Sequence, residues 1–577
     1  MMNTSLFFLL ALPLAVCLIL FFLGKQDNLR KNLSLAVFLL SLVFSVYLFL
    51  KPPGAWSRYL FNGYVLTLGL DKLSRLILIF ANLFGVLVCL YSKDYMNAKR
   101  GYFSWLLGLL VFTNLEILAT DFIIFVLSWG GSIFMLYALL NLGSSFSAKK
   151  AATILGFSYI CFIIGACIYS KFSGSFSMSG GTSMVLNRPV CWLAFGLMLT
   201  GALAKMGSGP FHTWIPTASE NAPIPVMAIL PASLDKLLGV YILSRLCLDF
   251  FVMNSFVIAL LLITGSLTII FAVLMALIQH DLRKLLAYHA ISQAGYMVLG
   301  LGTGNPIGVI GAIFHMFNNA IYKNGLFLVG GAVEKEKGTF DLDKLGGLAR
   351  YMPLTFISGL ILALSISGVP PFNGFVSKLM IYQGTLLGLM SSSGIWLRFA
   401  FMFALISAMF GSALTLASFI KFIHAIFLGQ DNNLKKNKIS EAPWKMLTPL
   451  LILSGLCVVL GIFSSAFIKG ELAPSFSFAL NYSGKINSLF VALFLGVALL
   501  AGFLLWKVIS SGKGVREDSF FVGGESAYGS PNFPATEFYK TIEDIPLLSK
   551  VYKFLKSGKW DIYNLLNKIL KICAVQK

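Results

Sequence analysis

The chain has 577 residues, 58% of them hydrophobic and 12% charged, with a mean hydropathy of +0.84. Soluble domains carry about 25% charged residues, so this composition excludes a soluble globular protein. The net charge of +21, from 44 basic and 23 acidic residues, would suggest nucleic acid in a soluble protein; in a chain this apolar it fits basic loops gathered on one membrane face, and no nucleic-acid partner is expected.

Apolar runs of roughly 18 or more residues recur about fifteen times up to about residue 511, each long enough to cross a bilayer as a helix. An all-α polytopic membrane protein is expected. A β-barrel is excluded, because barrel strands are about ten residues long and alternate in polarity. Met1–Leu23 has no basic leader region and no clear cleavage site, so it reads as the first membrane helix. The eight cysteines (Cys17, Cys89, Cys161, Cys167, Cys191, Cys247, Cys457, Cys573) are scattered without any C-x-x-C spacing, which indicates no iron–sulfur, zinc or disulfide framework. No phosphate-binding loop or dinucleotide fingerprint is present. Any redox or hydrolytic chemistry is expected on another chain.

An internal repeat divides the sequence. Gly207-Ser-Gly-Pro210-Phe211-His-Thr-Trp214 and Gly368-Val-Pro370-Pro371-Phe372-Asn-Gly-Phe375 share G-x-x-P-F-x-x-aromatic, each closing a long apolar run. Asp121 and Asp281 open spans at similar distances before the two breaks. Matching interrupted helices in two halves point to an ion or substrate site. The expected organisation is N-terminal helices over 1–100, repeats over 101–250 and 251–430, further helices over 431–511, and a loop and tail over 512–577. Gly512–Pro534 reads as loop, and the aromatic-rich segment from Ala535 onward, including Trp560, as amphipathic helix on the membrane face or against a partner. Alternate loops carry Lys25, Arg30 and Lys31; Lys93, Lys99 and Arg100; Lys149 and Lys150; Arg283 and Lys284; Lys335, Lys337, Lys344 and Arg350; and Lys435, Lys436, Lys438 and Lys445. The other loops hold roughly half as many, which predicts an outside N-terminus and a cytoplasmic C-terminus.

Ionisable groups inside apolar runs cost several kcal/mol unless paired or hydrated, so each is a functional candidate. Lys205 precedes the first break, Lys378 follows the second, and Lys236 and Lys323 lie within runs. Snorkelling to the interface is the bland alternative, strongest for Lys378. His315, Asn319 and Lys323 are spaced i, i+4, i+8 along one helix face, the geometry of a hydrated proton path. His289 adds a titratable group, whereas His212 reads equally well as structural. A metal site is not expected, since no H-x-x-x-H pair is present. Asp235 and Lys236 are neighbours on a helix and point in different directions; Pro231 should kink that helix.

These motifs carry a resemblance. Lys205-Met-Gly-Ser-Gly-Pro-Phe-His-Thr-Trp-Ile-Pro216 with Ala222-Pro223-Ile-Pro225, then Asp281-Leu-Arg-Lys-Leu-Leu-Ala-Tyr288 with Ser292-Gln293, then His315 to Lys323, then Ser367-Gly-Val-Pro-Pro-Phe-Asn-Gly-Phe-Val-Ser-Lys378 follow in order. Over roughly residues 65 to 430 the chain resembles the antiporter-like membrane subunits of respiratory complex I, Mrp-type sodium/proton antiporters and membrane-bound nickel–iron hydrogenases. The resemblance implies about fourteen core helices in two inverted repeats with a chain of polar groups at the membrane midplane. It gives Lys205 the part of the family's central lysine on a broken seventh helix, Lys236 that of an eighth-helix lysine, His315 and Lys323 that of the eleventh-helix relay, and Lys378 that of the twelfth-helix terminal residue.

Two positions depart from the family pattern. A glutamate expected after the tryptophan of the fifth helix is replaced in Trp129-Gly130, and a relay histidine is Asn319. Either Asp235 or Glu116 supplies the missing partner of Lys205, with Asp235 preferred, or part of the coupling machinery is lost. The leading expectation is a proton- or sodium-translocating subunit of a membrane redox complex, working through Lys205, Asp235, Lys236, His289, His315, Lys323 and Lys378. Its partners would be the lipid bilayer and other membrane subunits, with iron–sulfur, nickel–iron or flavin groups only on those subunits. The alternatives are an Mrp-type exchanger subunit and a scaffold that no longer conducts. Lys236 and His289 tilt the resemblance toward the hydrogenase and Mrp branches.

Overall fold

Hydrocarbon offers the backbone no hydrogen-bond partner, so long apolar runs must satisfy their N–H and C=O groups within helices. The computed structural model describes residues 5–22, 26–59, 65–96, 101–178, 183–429, 439–476, 488–510, 535–558 and 561–575. The Gly512–Pro534 loop, Trp560 and the basic residues Lys25, Lys99, Arg100, Lys435, Lys436 and Lys438 lie outside them. In chain order the elements are α1 (Leu12–Phe22), α2 (Asp27–Phe49), the hairpin β1 (Gly54–Tyr59) and β2 (Val65–Leu70), α3 (Lys72–Tyr95), α4 (Tyr102–Leu118), α5 (Phe122–Asn141), α6 (Ser145–Ser173), α7 (Pro189–Met206) and α8 (Trp214–Ser219). They continue with α9 (Ile224–Ile229), α10 (Asp235–Arg245), α11 (Ser255–Leu277), α12 (Leu282–Gly302), α13 (Pro306–Lys337), α14 (Pro353–Ser367), α15 (Asn373–Ser391) and α16 (Ile395–Ile423). Last come α17 (Trp444–Ile462), α18 (Ser464–Phe467), α19 (Ser488–Ser510), α20 (Pro546–Lys556) and α21 (Ile562–Val575). The protein is an all-α polytopic membrane protein. Among the described residues nine spans are long and apolar enough to cross a membrane, and four shorter apolar helices join them.

The repeat legible in sequence is repeated in backbone hydrogen bonds. Asp121 caps α5 by accepting from Ile124 N at 2.9 Å, and Asp281 caps α12 by accepting from Arg283 N at 2.8 Å. Each cap segment pairs with the loop ahead of a broken helix. Phe122 N donates to Phe176 O at 2.9 Å and Met178 N to Thr120 O at 2.8 Å; in the second half Leu282 N donates to Phe340 O at 3.0 Å and Leu342 N to His280 O at 2.9 Å. The centre of the molecule is α13, buried at every residue from Ile307 to Val333. It packs against α9, α12, α14, α15 and α17.

The amphipathic tail packs against this chain itself. Its first segment, the 3-10 helix Ala535–Asp544, hydrogen-bonds through Thr536 to Asp343 and through Tyr539 to Ala417 O at 3.1 Å. Tyr552 of α20 is buried against Leu274 and Met275. Asp561, ahead of α21, reaches Lys150 Nζ at 2.5 Å and Thr213 Oγ1 at 2.7 Å.

Candidate functional site

Two interrupted helices organise the candidate site. α7 stops at Met206 because Gly207 takes φ 69°, where only glycine is comfortable, and Ser208 N turns back to Leu203 O at 2.9 Å. α14 stops the same way at Gly368, φ 81°. Both breaks contain a cis prolyl bond, Gly209–Pro210 and Pro370–Pro371. The last turn of α7 therefore ends inside protein, and it carries Lys205. Half-buried His212 lies in the first break, its Nδ1 without a hydrogen-bond partner.

The Lys205 ammonium is buried and needs a counter-charge. Glu116 of α4 supplies it, with Oε2 3.0 Å from Nζ and the carboxylate fully buried. Ser132 Oγ lies at 3.5 Å, and the Trp129 ring sits 4.9 Å beneath the ammonium. This corrects the expectation that Asp235 pairs with Lys205. The carboxylate that meets Lys205 comes from α4, not from the position after Trp129 on α5. At Gly130 a side chain would start 2.9 Å from Tyr159 Oη, which instead donates to Val126 O, so the space a glutamate would use is taken by tyrosine. Asp235 is buried with Oδ2 unpartnered, within electrostatic reach of Lys205, Glu116 and Lys236.

The helix after the first break is distorted in its middle, as Pro231 requires: α9 passes through a π-helical turn, Leu230–Leu234, into α10. Gly239 lets α10 approach the end of α7 closely, since a Cβ there would lie 2.5 Å from Met206 N. Lys236 Nζ donates to Met206 O at 2.8 Å, binding the end of the broken helix directly. On its other side Ser233 receives a bond from Asn324 of α13 at 3.0 Å.

In the second half, Lys323 Nζ donates to Leu286 O at 2.9 Å and lies within electrostatic reach of Lys236. His289 is fully buried against Phe419, ring centroids 4.8 Å apart, with neither nitrogen hydrogen-bonded in the protein. His315 bridges Ser377 Oγ at 2.9 Å and Gln293 Oε1 at 3.0 Å. Asn319 between them has no protein partner. Lys378, buried rather than snorkelled, donates to Ile366 O at 2.8 Å at the end of α14 and stands 4.9 Å over the Tyr296 ring. His289 and His315 both feel the Lys378 charge. The groups named from sequence thus form one electrostatically linked series from Glu116 and Lys205 through Lys236, Lys323 and the histidines to Lys378.

Sequence reading missed Lys421, fully buried on α16 and donating to Leu277 O and Gln279 O at 2.8 Å each. It stands in the apolar run Leu416-Ala-Ser-Phe-Ile420-Lys421, so the test that found the other lysines applies to it. The contacts of Gln293 to His315 and of Tyr296 to Lys378 need tertiary structure to be seen.

Residues 119–407 match the sequence profile described as NADH:quinone oxidoreductase/Mrp antiporter, TM. The Na(+)/H(+) antiporter subunit A1 of Staphylococcus epidermidis is 31% identical over 434 residues, 70% of this chain and 53% of that protein. The chain spans about half the length of such curated relatives. A chain in the structure of the membrane-bound sulfane sulfur reductase, an archaeal respiratory membrane complex, superposes with a TM-score of 0.81 at 23% identity, covering 99% of this chain and 95% of its own. One from the Mrp complex of Dietzia sp. DQ12-45-1b gives 0.72 at 22% identity, covering 82% and 97%. At these identities the structural likenesses establish the fold.

Proposed function

Because the chain belongs to the NADH:quinone oxidoreductase/Mrp antiporter transmembrane family, we propose that it is an ion-translocating, antiporter-like subunit of a multi-subunit membrane redox complex, moving H⁺ or Na⁺ along its buried lysines. The observation that carries this reading is the fully enclosed Glu116–Lys205 pair at the end of a broken helix, electrostatically continuous with Lys236, Lys323 and Lys378. A buried ion pair is a poor way to gain stability, since desolvation offsets its attraction. It is a good way to store a two-state choice. Opening the pair exposes Lys205 to the neighbouring charges, and each lysine in turn gains or loses a proton according to the charge beside it. The positions of Asp235 and Lys236, one beside Lys205 and the other bound to the next backbone carbonyl, suit them to pass that change into the second repeat.

The alternation of basic loops supports an outside N-terminus and a cytoplasmic C-terminus, with the tail on the cytoplasmic face. The likeness to the sulfur reductase chain over nearly the whole sequence favours a redox complex, with iron–sulfur, nickel–iron or flavin groups on other subunits. The 31% identity to an Mrp subunit favours the second reading, an exchanger without redox partners. Purification of the tagged protein from native membranes separates them. Co-purifying redox subunits are expected; recovery with small membrane subunits only would support the exchanger, and recovery alone would contradict both.

A further inference from the structure

The first repeat contains a second polar structure, on the face that carries the β-hairpin. A cavity of about 320 Å³ lies beneath the hairpin, walled by Asp71, Ser74, Ala119, Thr120, Tyr241 and Arg245. The hairpin roofs it: Leu68 pairs with Ala119, and Thr120 Oγ1 donates to Thr67 O at 2.8 Å. Two helices of the buried site lead into it. Ala119 and Thr120 follow Glu116 by three and four residues, at and just past the end of α4, so the helix that carries that carboxylate ends at the cavity wall. Tyr241 and Arg245 follow Lys236 along α10.

Arg245 holds the mouth of the cavity. One guanidinium nitrogen donates to Asp249 Oδ2 at 2.8 Å, the other pairs with Asp71 and reaches Tyr241 Oη at 3.2 Å, and the group lies over the Tyr241 ring. Two carboxylates thus face one cation, and both are more than two-fifths exposed while Arg245 is mostly covered. Half-exposed pairs of this kind are weak and salt-screened, so exchange of partners is cheap, unlike at the enclosed Glu116–Lys205 pair. The second repeat has a counterpart at the opposite face. Lys421 is in the last turn of α16, and like Arg245 it is followed by a five-residue π-helical turn.

We propose that this cavity is the cation vestibule of the first repeat, in which Arg245 holds the place that a hydrated monovalent cation, hydronium or Na⁺, takes between Asp71 and Asp249. The assignment rests on the ion-translocating function proposed above and adds where ions meet the Glu116–Lys205 pair. The simpler reading is a latch that fixes the hairpin, with no access to the cavity.

Cysteine accessibility in right-side-out and inside-out native-membrane vesicles separates the two. In a background with exposed Cys167 changed to serine, Ala119→Cys is treated with membrane-impermeant methanethiosulfonates of either charge. Labelling is expected from the hairpin face only, about tenfold faster for the cationic reagent, the low end of electrostatic focusing, with the preference lost in Asp71→Asn/Asp249→Asn. Ser74→Cys, a near-isosteric change on another wall, is expected to behave alike and guards against a folding defect at Ala119. Slowing by Na⁺ but not choline at fixed ionic strength identifies sodium as the occupant; equal rates in the two salts exclude sodium. Failure of both cysteines to label from the hairpin face, or equal rates for both reagent charges, would overturn the vestibule. Flux in the same vesicles is read separately: labelling without ion flux contradicts the transport function, and flux with both cysteines unlabelled contradicts the vestibule alone.

Discussion

At Lys205 the deciding quantity is the cost of leaving one buried charge without the other. Removing one partner of a buried pair costs about 3–5 kcal/mol, whereas replacing both by well-packed apolar residues of similar volume is often close to neutral. Glu116→Ala and Lys205→Ala are each expected to lower stability by about 3 kcal/mol, and the double substitution by clearly less than their sum, read from thermal unfolding of the purified protein. Asp235→Asn should cost less, because Asp235 makes no hydrogen bond through Oδ2. Sequence alone named both carboxylates and preferred the wrong one. Asp235 is 30 residues from Lys205 and Glu116 is 89 residues away, and nothing in spacing says which helix faces the α7 terminus. The departure at Trp129-Gly130 was legible, but the tyrosine packed against Gly130 belongs to a third helix, so its setting was not.

Among the elements, the breaks were legible because glycine and proline act through the local backbone, and the pattern G-x-x-P-F recurs. Pro231 likewise announced the distortion that appears as a π-helical turn. The polar spans α12 and α13 were legible through their motifs, whereas close helix approach was not. Gly239→Ala is predicted to destabilise by about 1–3 kcal/mol, the cost of overpacking, because its methyl would meet backbone at Met206 that has nowhere to go. Gly368→Ala places a methyl 3.1 Å from Lys378 Cδ at a positive φ. It should cost about 1–2 kcal/mol of stability and reduce ion flux beyond what that loss explains, since the lysine itself must move. Unfolding and flux measured on the same preparation check both statements.

On the scale of the whole molecule, the tail joins the two repeats, from Asp343 and Leu274 in the second to Lys150 and Thr213 in the first. Its amphipathic pattern was visible in sequence; that it docks on its own chain was not, because the receiving surface is assembled from α6, α11 and α16. Burial pushes the Asp561 carboxyl up, but hydrogen bonds from Lys150 and Thr213 and the Lys150 charge hold it below its ordinary value; at Asp343 burial is likewise outweighed by Thr536 and His280. A depressed carboxylate contributes stability above its unfolded value, about pH 3.9, and loses it as pH falls through the lower folded value. Asp561→Asn should therefore loosen the tail at pH 7, read as faster hydrogen exchange in 546–556 after correction for intrinsic rates. The account as a whole depends on ions moving along the buried series that begins at Glu116 and Lys205. Its most direct test is H⁺ and Na⁺ flux in sealed vesicles holding the intact native complex, with Lys205→Ala and Lys378→Ala compared with the unaltered chain. The account predicts that flux falls at least about tenfold in each, a barrier increase of about 1.4 kcal/mol, while the complex still assembles; undiminished flux in both would contradict it.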